Sequence, residues 1–253
     1  AVRTLVVGTT GGEFTVSADG TDASITPTNI TIKRQSSFGS ANVDAIPAGN
    51  AILFLQKAKR KIRELQYNFD SDGYQAPDLT ILNETVTDTG INEMSYQQEP
   101  GSNIWCVRDD GVLACLTYQR SENVIAWSRH IFGGAFGSGK AVCESVVNGA
   151  TKRYVECFSD FDFDETSPTS FKFLDSHLSY SGSGTTTLSG LAHLEGQTVS
   201  ILGDGATHAN KTVSSGAITL DRSVTSACVG LPYDSILQTM RIEGGAAEGT
   251  SQG

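Results

Sequence analysis

Asn103-Ile104-Trp105-Cys106-Val107-Arg108-Asp109-Asp110-Gly111-Val112-Leu113-Ala114-Cys115-Leu116-Thr117-Tyr118 decides the fold. Two apolar, β-prone runs flank Asp110-Gly111, and an Asp-Gly pair between such runs is a strong hairpin signal. Working outward, Ile91–Gln98 and Val124–Ile131 read as further strands, separated at Pro100-Gly101 and Ser121-Glu122-Asn123. Four short strands joined by tight turns predict one up-and-down antiparallel sheet of the size of a propeller blade. With Asp110-Gly111 as a two-residue turn, Asp109 faces Val112, and counting outward sets Cys106 across from Cys115 in a non-hydrogen-bonded pair. A disulfide fits that spacing, but without a secretion signal the expectation is two reduced thiols acting as small hydrophobes.

The same reading extends along the first half. Thr4–Val7, Glu13–Ser17 and Asn29–Arg34 are β-rich. Asn148-Gly149 joins Ala141–Val147 to Ala150–Phe158, which places Glu144 opposite Arg153. Ala51–Phe69 supports two readings. Leu55, Ala58, Ile62, Leu65 and Phe69 recur at helical spacing, with Lys57, Lys59, Arg60, Lys61 and Arg63 as a basic face, or Ile52–Lys57 and Ile62–Phe69 flank the turn Ala58–Lys61. Pro77–Val86 predicts one short helix, near residues 78–87, with Pro at its entry, Leu79 and Leu82 three apart, and Gly90 beyond its end.

Near Ser159 the composition shifts to Asp, Ser, Thr and Pro, as at an exposed junction. Phe171–Leu174, Thr198–Leu202, Lys211–Val213, Ala217–Leu220, Ala227–Gly230 and Thr239–Ile242 follow as short strands. Their regular spacing predicts a small β-barrel or sandwich. The expected organisation is all-β: propeller-like antiparallel sheets over 1–159, the small domain over 160–243, and a flexible linker or tail over 244–253. Ala1 in place of an initiator Met, and the Gly-rich end, suggest a segment excised from a longer chain.

The 253 residues carry 18 Lys and Arg against 28 Asp and Glu, a formal charge of −10. Hydrophobic residues at 38% and charged residues at 18% leave room for 27 Gly and abundant Ser and Thr, which suits turn-dense β-structure. That composition excludes a helical bundle and a coiled coil. No run approaches the roughly 18 apolar residues of a membrane span. The acidic balance opposes a nucleic-acid clamp, which needs clustered cations to release counterions.

Motifs for chemistry are incomplete. Gly134-Ala135-Phe136-Gly137-Ser138-Gly139-Lys140-Ala141 imitates a phosphate-binding loop but has Ala141 where Ser or Thr would hold Mg²⁺. Asp160, Asp162 and Asp164 imitate a calcium loop, with Glu165 in place of its Gly and Phe171 in place of its closing Glu. The five cysteines, Cys106, Cys115, Cys143, Cys157 and Cys228, show no zinc spacing. His130, His177, His193 and His208 are dispersed, and no Ser elbow occurs. Three glycosylation sequons begin at Asn29, Asn83 and Asn210, as chance provides in a Ser/Thr-rich chain. No catalytic, metal-binding or cofactor-binding residue is assigned, and no cofactor or small-molecule substrate is expected.

Several stretches together resemble one family. Leu5-Val6-Val7-Gly8-Thr9-Thr10-Gly11-Gly12-Glu13-Phe14, Ile52-Leu53-Phe54-Leu55-Gln56 and Tyr74-Gln75-Ala76-Pro77-Asp78-Leu79-Thr80 are similar to tail proteins of short-tailed bacteriophages. Met94-Ser95-Tyr96-Gln97-Gln98-Glu99-Pro100 with Trp105-Cys106-Val107-Arg108-Asp109-Asp110-Gly111 is the most specific stretch. Asn148-Gly149-Ala150-Thr151-Lys152-Arg153-Tyr154-Val155-Glu156, His193-Leu194-Glu195-Gly196-Gln197-Thr198-Val199 and Gly230-Leu231-Pro232-Tyr233 continue it in order. The family is that of tail nozzle (tail tubular protein B) or packaged-DNA stabilisation proteins. Its members are longer, form rings at the distal tail and contain propeller-like sheet, so the resemblance implies a hairpin over Ile52–Phe69. This chain lacks the ends that would close a complete propeller, and Gly133–Ala141 is shorter than in the family.

The resemblance implies a non-enzymatic structural protein of a phage or prophage tail, assembled in the bacterial cytoplasm and placed in the virion. Its partners would be other tail proteins and copies of itself, without stable nucleic-acid binding or membrane contact. The alternative is a β-rich glycan- or surface-binding module, if Tyr96, Trp105, Tyr118 and Trp127 were free to stack on sugars rather than packed in a core.

Overall fold

The computed structural model describes residues 4–19, 24–133, 135–136, 143–147, 149–158 and 172–236. Strands dominate it, and its few described helical turns are short 3-10 segments such as Glu84–Val86. The chain divides into two compact units, Ala1–Asp160 and Phe161–Gly253.

In the first unit the strands run in chain order through successive antiparallel sheets. β1 (Thr4–Thr9), β2 (Gly12–Ala18) and β3 (Ile30–Ser36) form the first. β4 (Ile46–Ala48), β5 (Ala51–Leu55), β6 (Ile62–Asn68) and β7 (Gly73–Gln75) form the second. β8 (Ile91–Gln97), β9 (Asn103–Arg108), β10 (Leu113–Gln119) and β11 (Val124–His130) form the third, in the predicted up-and-down order. β12 (Ala135–Phe136), β13 (Cys143–Val147) and β14 (Ala150–Tyr154) form the last. Val147 pairs with Ala150 across Asn148-Gly149, and Glu144 faces Arg153, as the turn chemistry predicts.

Period-2 alternation explains the third sheet. Met94, Ile104, Cys106, Ala114, Leu116 and Tyr118 share one face and are buried in the main core with Leu53, Leu55 and Ile62 of the second sheet. Phe54 and Leu65, on the other face of that second sheet, pack with Val6 of β1. The β5–β6 hairpin is therefore buried on both faces. Such strands lose their polar alternation, which is why Ala51–Phe69 also fits a helical period.

Register at the decisive turn differs from the count made on the sequence. Val107 pairs with Leu113, and Gly111 N donates to Arg108 O at 3.1 Å, so the loop is the three residues Asp109–Gly111. Of these, only Gly111 has positive φ, at 78°. Asp110 is held by its neighbours: Arg108 donates to it through Nε (3.0 Å) and Nη2 (2.6 Å), and Val112 N donates at 3.2 Å. The one-residue change sets Cys106 opposite Ala114 and Cys115 opposite Trp105, on opposite faces, and both thiols are free. Gly111→Val should still cost about 1–3 kcal/mol, because a β-branched residue is strained at that φ. Urea unfolding followed by tryptophan emission measures it, and a variant as stable as the parent would contradict the assignment.

The helix predicted near 78–87 shrinks to one 3-10 turn, Glu84–Val86. Its entry is captured by the sheet instead. Leu79 N donates to Ile62 O at 2.9 Å, Trp127 Nε1 donates to Leu79 O, and Asp78 Oδ1 accepts from Thr80 N and Oγ1. Those bonds replace the i to i−4 ladder, leaving Ile81 and Leu82 exposed at 65% and 84%.

Among the described residues the second unit holds one four-stranded antiparallel sheet that does not close into a barrel, in the order β15 (Asp175–Ser189), β18 (Ala217–Leu231), β16 (Thr198–Gly203), β17 (Ala206–Thr212). Ser181-Gly182-Ser183-Gly184, which has turn composition, lies inside β15 and is absorbed by register shifts against β18 between Ser181 and Thr187. Ala217–Leu220 and Ala227–Gly230 merge into the single strand β18, and Lys211 and Thr212 end β17. Of the predicted strand Phe171–Leu174, Lys172–Leu174 are not strand; Phe171 and Thr239–Ile242 lie outside the described residues. Leu188, Leu191, Val199, Ile201, Ile218 and Val229 are among the residues that form this unit's own core.

Candidate functional site

The aromatic residues suspected of carbohydrate stacking are engaged in packing. Tyr118 is buried, and Tyr96 and Trp127 lie against the main core. Trp105 donates Nε1 to Gln97 Oε1 at 2.8 Å, and Phe158 stacks on its ring at a centroid separation of 4.9 Å. His130 sits 5.2 Å from Trp105 and 6.3 Å from Phe132, and this burial lowers its pKa. Ser128 Oγ lies 3.1 Å from His130 Nε2, but no carboxylate among the described residues is seen to orient the ring. The Ser–His contact alone does not mark an activated nucleophile.

The other histidines remain apart. His193 Nε2 meets Ser176 O at 2.8 Å, while His208 Nε2 accepts from Arg222 Nε at 3.1 Å, and burial first, then the Arg222 charge, lowers the His208 pKa. No group of three His, Cys, Asp or Glu side chains among the described residues could hold a metal ion. Gly134, Gly137–Ala141 and the acidic run at Asp160, Asp162 and Asp164 lie outside the described residues. No described helix is long and apolar enough to cross a membrane.

What the structure does assemble is a buried charge cluster beside a cavity of about 320 Å³. Glu64, on β6 and 1% exposed, receives Tyr118 Oη at 2.7 Å, and Arg120 Nε at 2.9 and 3.0 Å on its two oxygens. Arg120 Nη2 also pairs with Oε2. Burial pushes the Glu64 pKa up, but the bonds from Arg120 and Tyr118 outweigh it and leave the carboxyl below its ordinary value. The Tyr118 hydroxyl is pushed up, first by burial and then by the carboxylate beside it. Asn50, Gln66, Ser102 and Gln119 give the cavity a polar rim. With every oxygen of Glu64 already engaged by donors, the cluster works as a clamp between the second and third sheets rather than as an acid or base. Its only trace in the sequence is a carboxylate, Glu64, on the same strand face as the apolar Ile62.

The predicted basic face is divided by the fold. Arg63 is drawn inward: its guanidinium lies 3.4 Å over the Phe38 ring and donates to Gln56 Oε1 and Ala76 O. Burial lowers its pKa. Lys61 is paired with Asp78 at 2.8 Å and Glu84 at 3.2 Å, and its hydrogen bond to Asp78 is the main cause of its raised pKa. Lys57, Lys59 and Arg60 stay exposed on the turn. The two cysteines of the hairpin are inert, since burial raises Cys106 strongly and takes Cys115 to about 11. The sequence matches no protein-family model and no curated protein.

Proposed function

We propose that this chain is a non-enzymatic structural part of a phage or prophage tail, belonging to a nozzle or tube-end ring through which DNA leaves the particle. The observation that carries the reading is the series of up-and-down sheets in chain order through Ala1–Asp160, which fits the propeller-like core that the sequence resemblance implies. Aromatic rings consumed in packing, and a buried carboxylate spent on clamping two sheets, fit a scaffold better than a sugar-binding module. The partners in this reading are copies of the chain and neighbouring tail proteins.

Negative-stain microscopy of the full-length protein tests it: rings with a central opening are expected, and a monomer at all concentrations overturns it. Specific capture on a glycan array would favour the alternative. A channel wall for DNA gains from repelling phosphates, and the −10 charge does so. Labelled duplex should therefore show no appreciable binding at physiological salt. Micromolar binding that falls steeply between two salt concentrations would defeat the passive-channel reading.

A further inference from the structure

Lys57–Arg63 concentrates five of the chain's 18 Lys and Arg in seven residues. The fold neutralises or buries Lys61 and Arg63, as described, and leaves three cations outward. Among the described residues no ion pair reaches Lys57, Lys59 or Arg60, and the bond from Lys59 Nζ to Asn92 Oδ1 (3.0 Å) does not cancel its charge. The turn that carries them is fixed on three sides. Gln56 N donates to Lys61 O at 2.8 Å, Lys57 N to Gly39 O at 2.9 Å, and Ile91 N to Lys59 O at 2.8 Å. Beside it lies a cavity of about 290 Å³ lined by Gln56, Ala58, Arg60, Lys61 and Glu84. Ala58 and the aliphatic stems of Arg60 and Lys61 make its wall largely apolar.

A fitting occupant carries negative charge together with apolar side chains. The chain itself offers one: Asp160-Phe161-Asp162-Phe163-Asp164-Glu165 has four acids interleaved with two Phe. We propose that the turn Lys57–Lys61 is an interface between copies, receiving this acidic, Phe-bearing stretch of a second copy. The inference rests on the ring reading above and names one of its contact surfaces. Charge complementarity of this kind sets partner choice and orientation, and it weakens with salt.

Sedimentation of the full-length protein at two salt concentrations provides the test. Lys57→Glu/Arg60→Glu is expected to weaken self-association at least tenfold, as is Asp162→Lys/Asp164→Lys. An equimolar mixture of the two reversed variants should regain association, which misfolded chains could not do. Association unchanged by either reversal, or absent from the mixture, overturns the interface and leaves the ring reading standing. A parent that never associates removes both. Salt-steep binding of labelled duplex that is lost in Lys57→Glu/Arg60→Glu would assign the turn to nucleic acid and overturn the proposal.

Discussion

Arg120→Met is expected to destabilise the first unit by about 2–4 kcal/mol at pH 7, and by much less at pH 4.5. Removing one partner of a fully buried ion pair costs roughly 3–5 kcal/mol, because the remaining charge is stranded. The figure here is lower because the Arg120 side chain is 42% exposed and partly solvated before the change. In the parent, Glu64 has a depressed pKa, so its contribution is present above the unfolded carboxylate pKa of about 4.3 and is lost as pH falls through the folded value. Without Arg120 the burial of Glu64 dominates and raises that pKa. The variant's deficit is then full at neutral pH and shrinks as acid protonates the carboxyl. Urea titrations at the two pH values, followed by tryptophan emission, measure both. An equal deficit at pH 7 and pH 4.5 would show that Arg120 acts through packing alone. Glu64→Gln should be milder, since the amide oxygen still accepts from Tyr118 and Arg120 can turn to water.

Leu116→Ala should cost roughly 2–5 kcal/mol, the range for a Leu truncated in a well-packed core. Leu116 is fully buried between Ile104 and Trp127 in the cross-strand register, and all three share the main core. The chain's two tryptophans, Trp105 and Trp127, both lie in the first unit, so emission reports that unit. Leu188→Ala, in the core of the second unit, should cost a similar amount in far-ultraviolet dichroism while leaving the emission midpoint in place. Equal displacement of the emission midpoint by Leu188→Ala would mean that the two units unfold together.

Much of the all-β architecture was legible in the residues. Turn pairs at Asp110-Gly111 and Asn148-Gly149, with β-prone runs around them, locate hairpins because the relevant forces act over four or five neighbours. The third sheet and the Glu144–Arg153 pairing follow from that alone. Where local signals misled, a distant group had intervened. The stretch Pro77–Val86 carries helix signals, yet Ile62 and Trp127 take the backbone of Leu79 into the sheet. No strand is legible over Asp175–Ser189, because Ser181–Gly184 has the composition of a turn, yet the long partner β18 runs it through as bulged strand.

The candidate site was hardly legible at all. Glu64 lies 54 residues from Tyr118 and 56 from Arg120, and no spacing rule links them. The basic run Lys57–Arg63 was visible in the sequence, but not its division. The Phe38 ring, Asp78 and Glu84 decide which cations are spent and which face outward. Sequence by itself determined the fold class and most of the hairpins, since alternation and turn geometry are properties of adjacent residues. Only the tertiary structure decided the turn register, the second buried face of β5–β6 and the charge clamp. Each of those depends on what lies across from a side chain, and a carboxylate that would be costly alone in a core becomes stable only when its distant donors arrive.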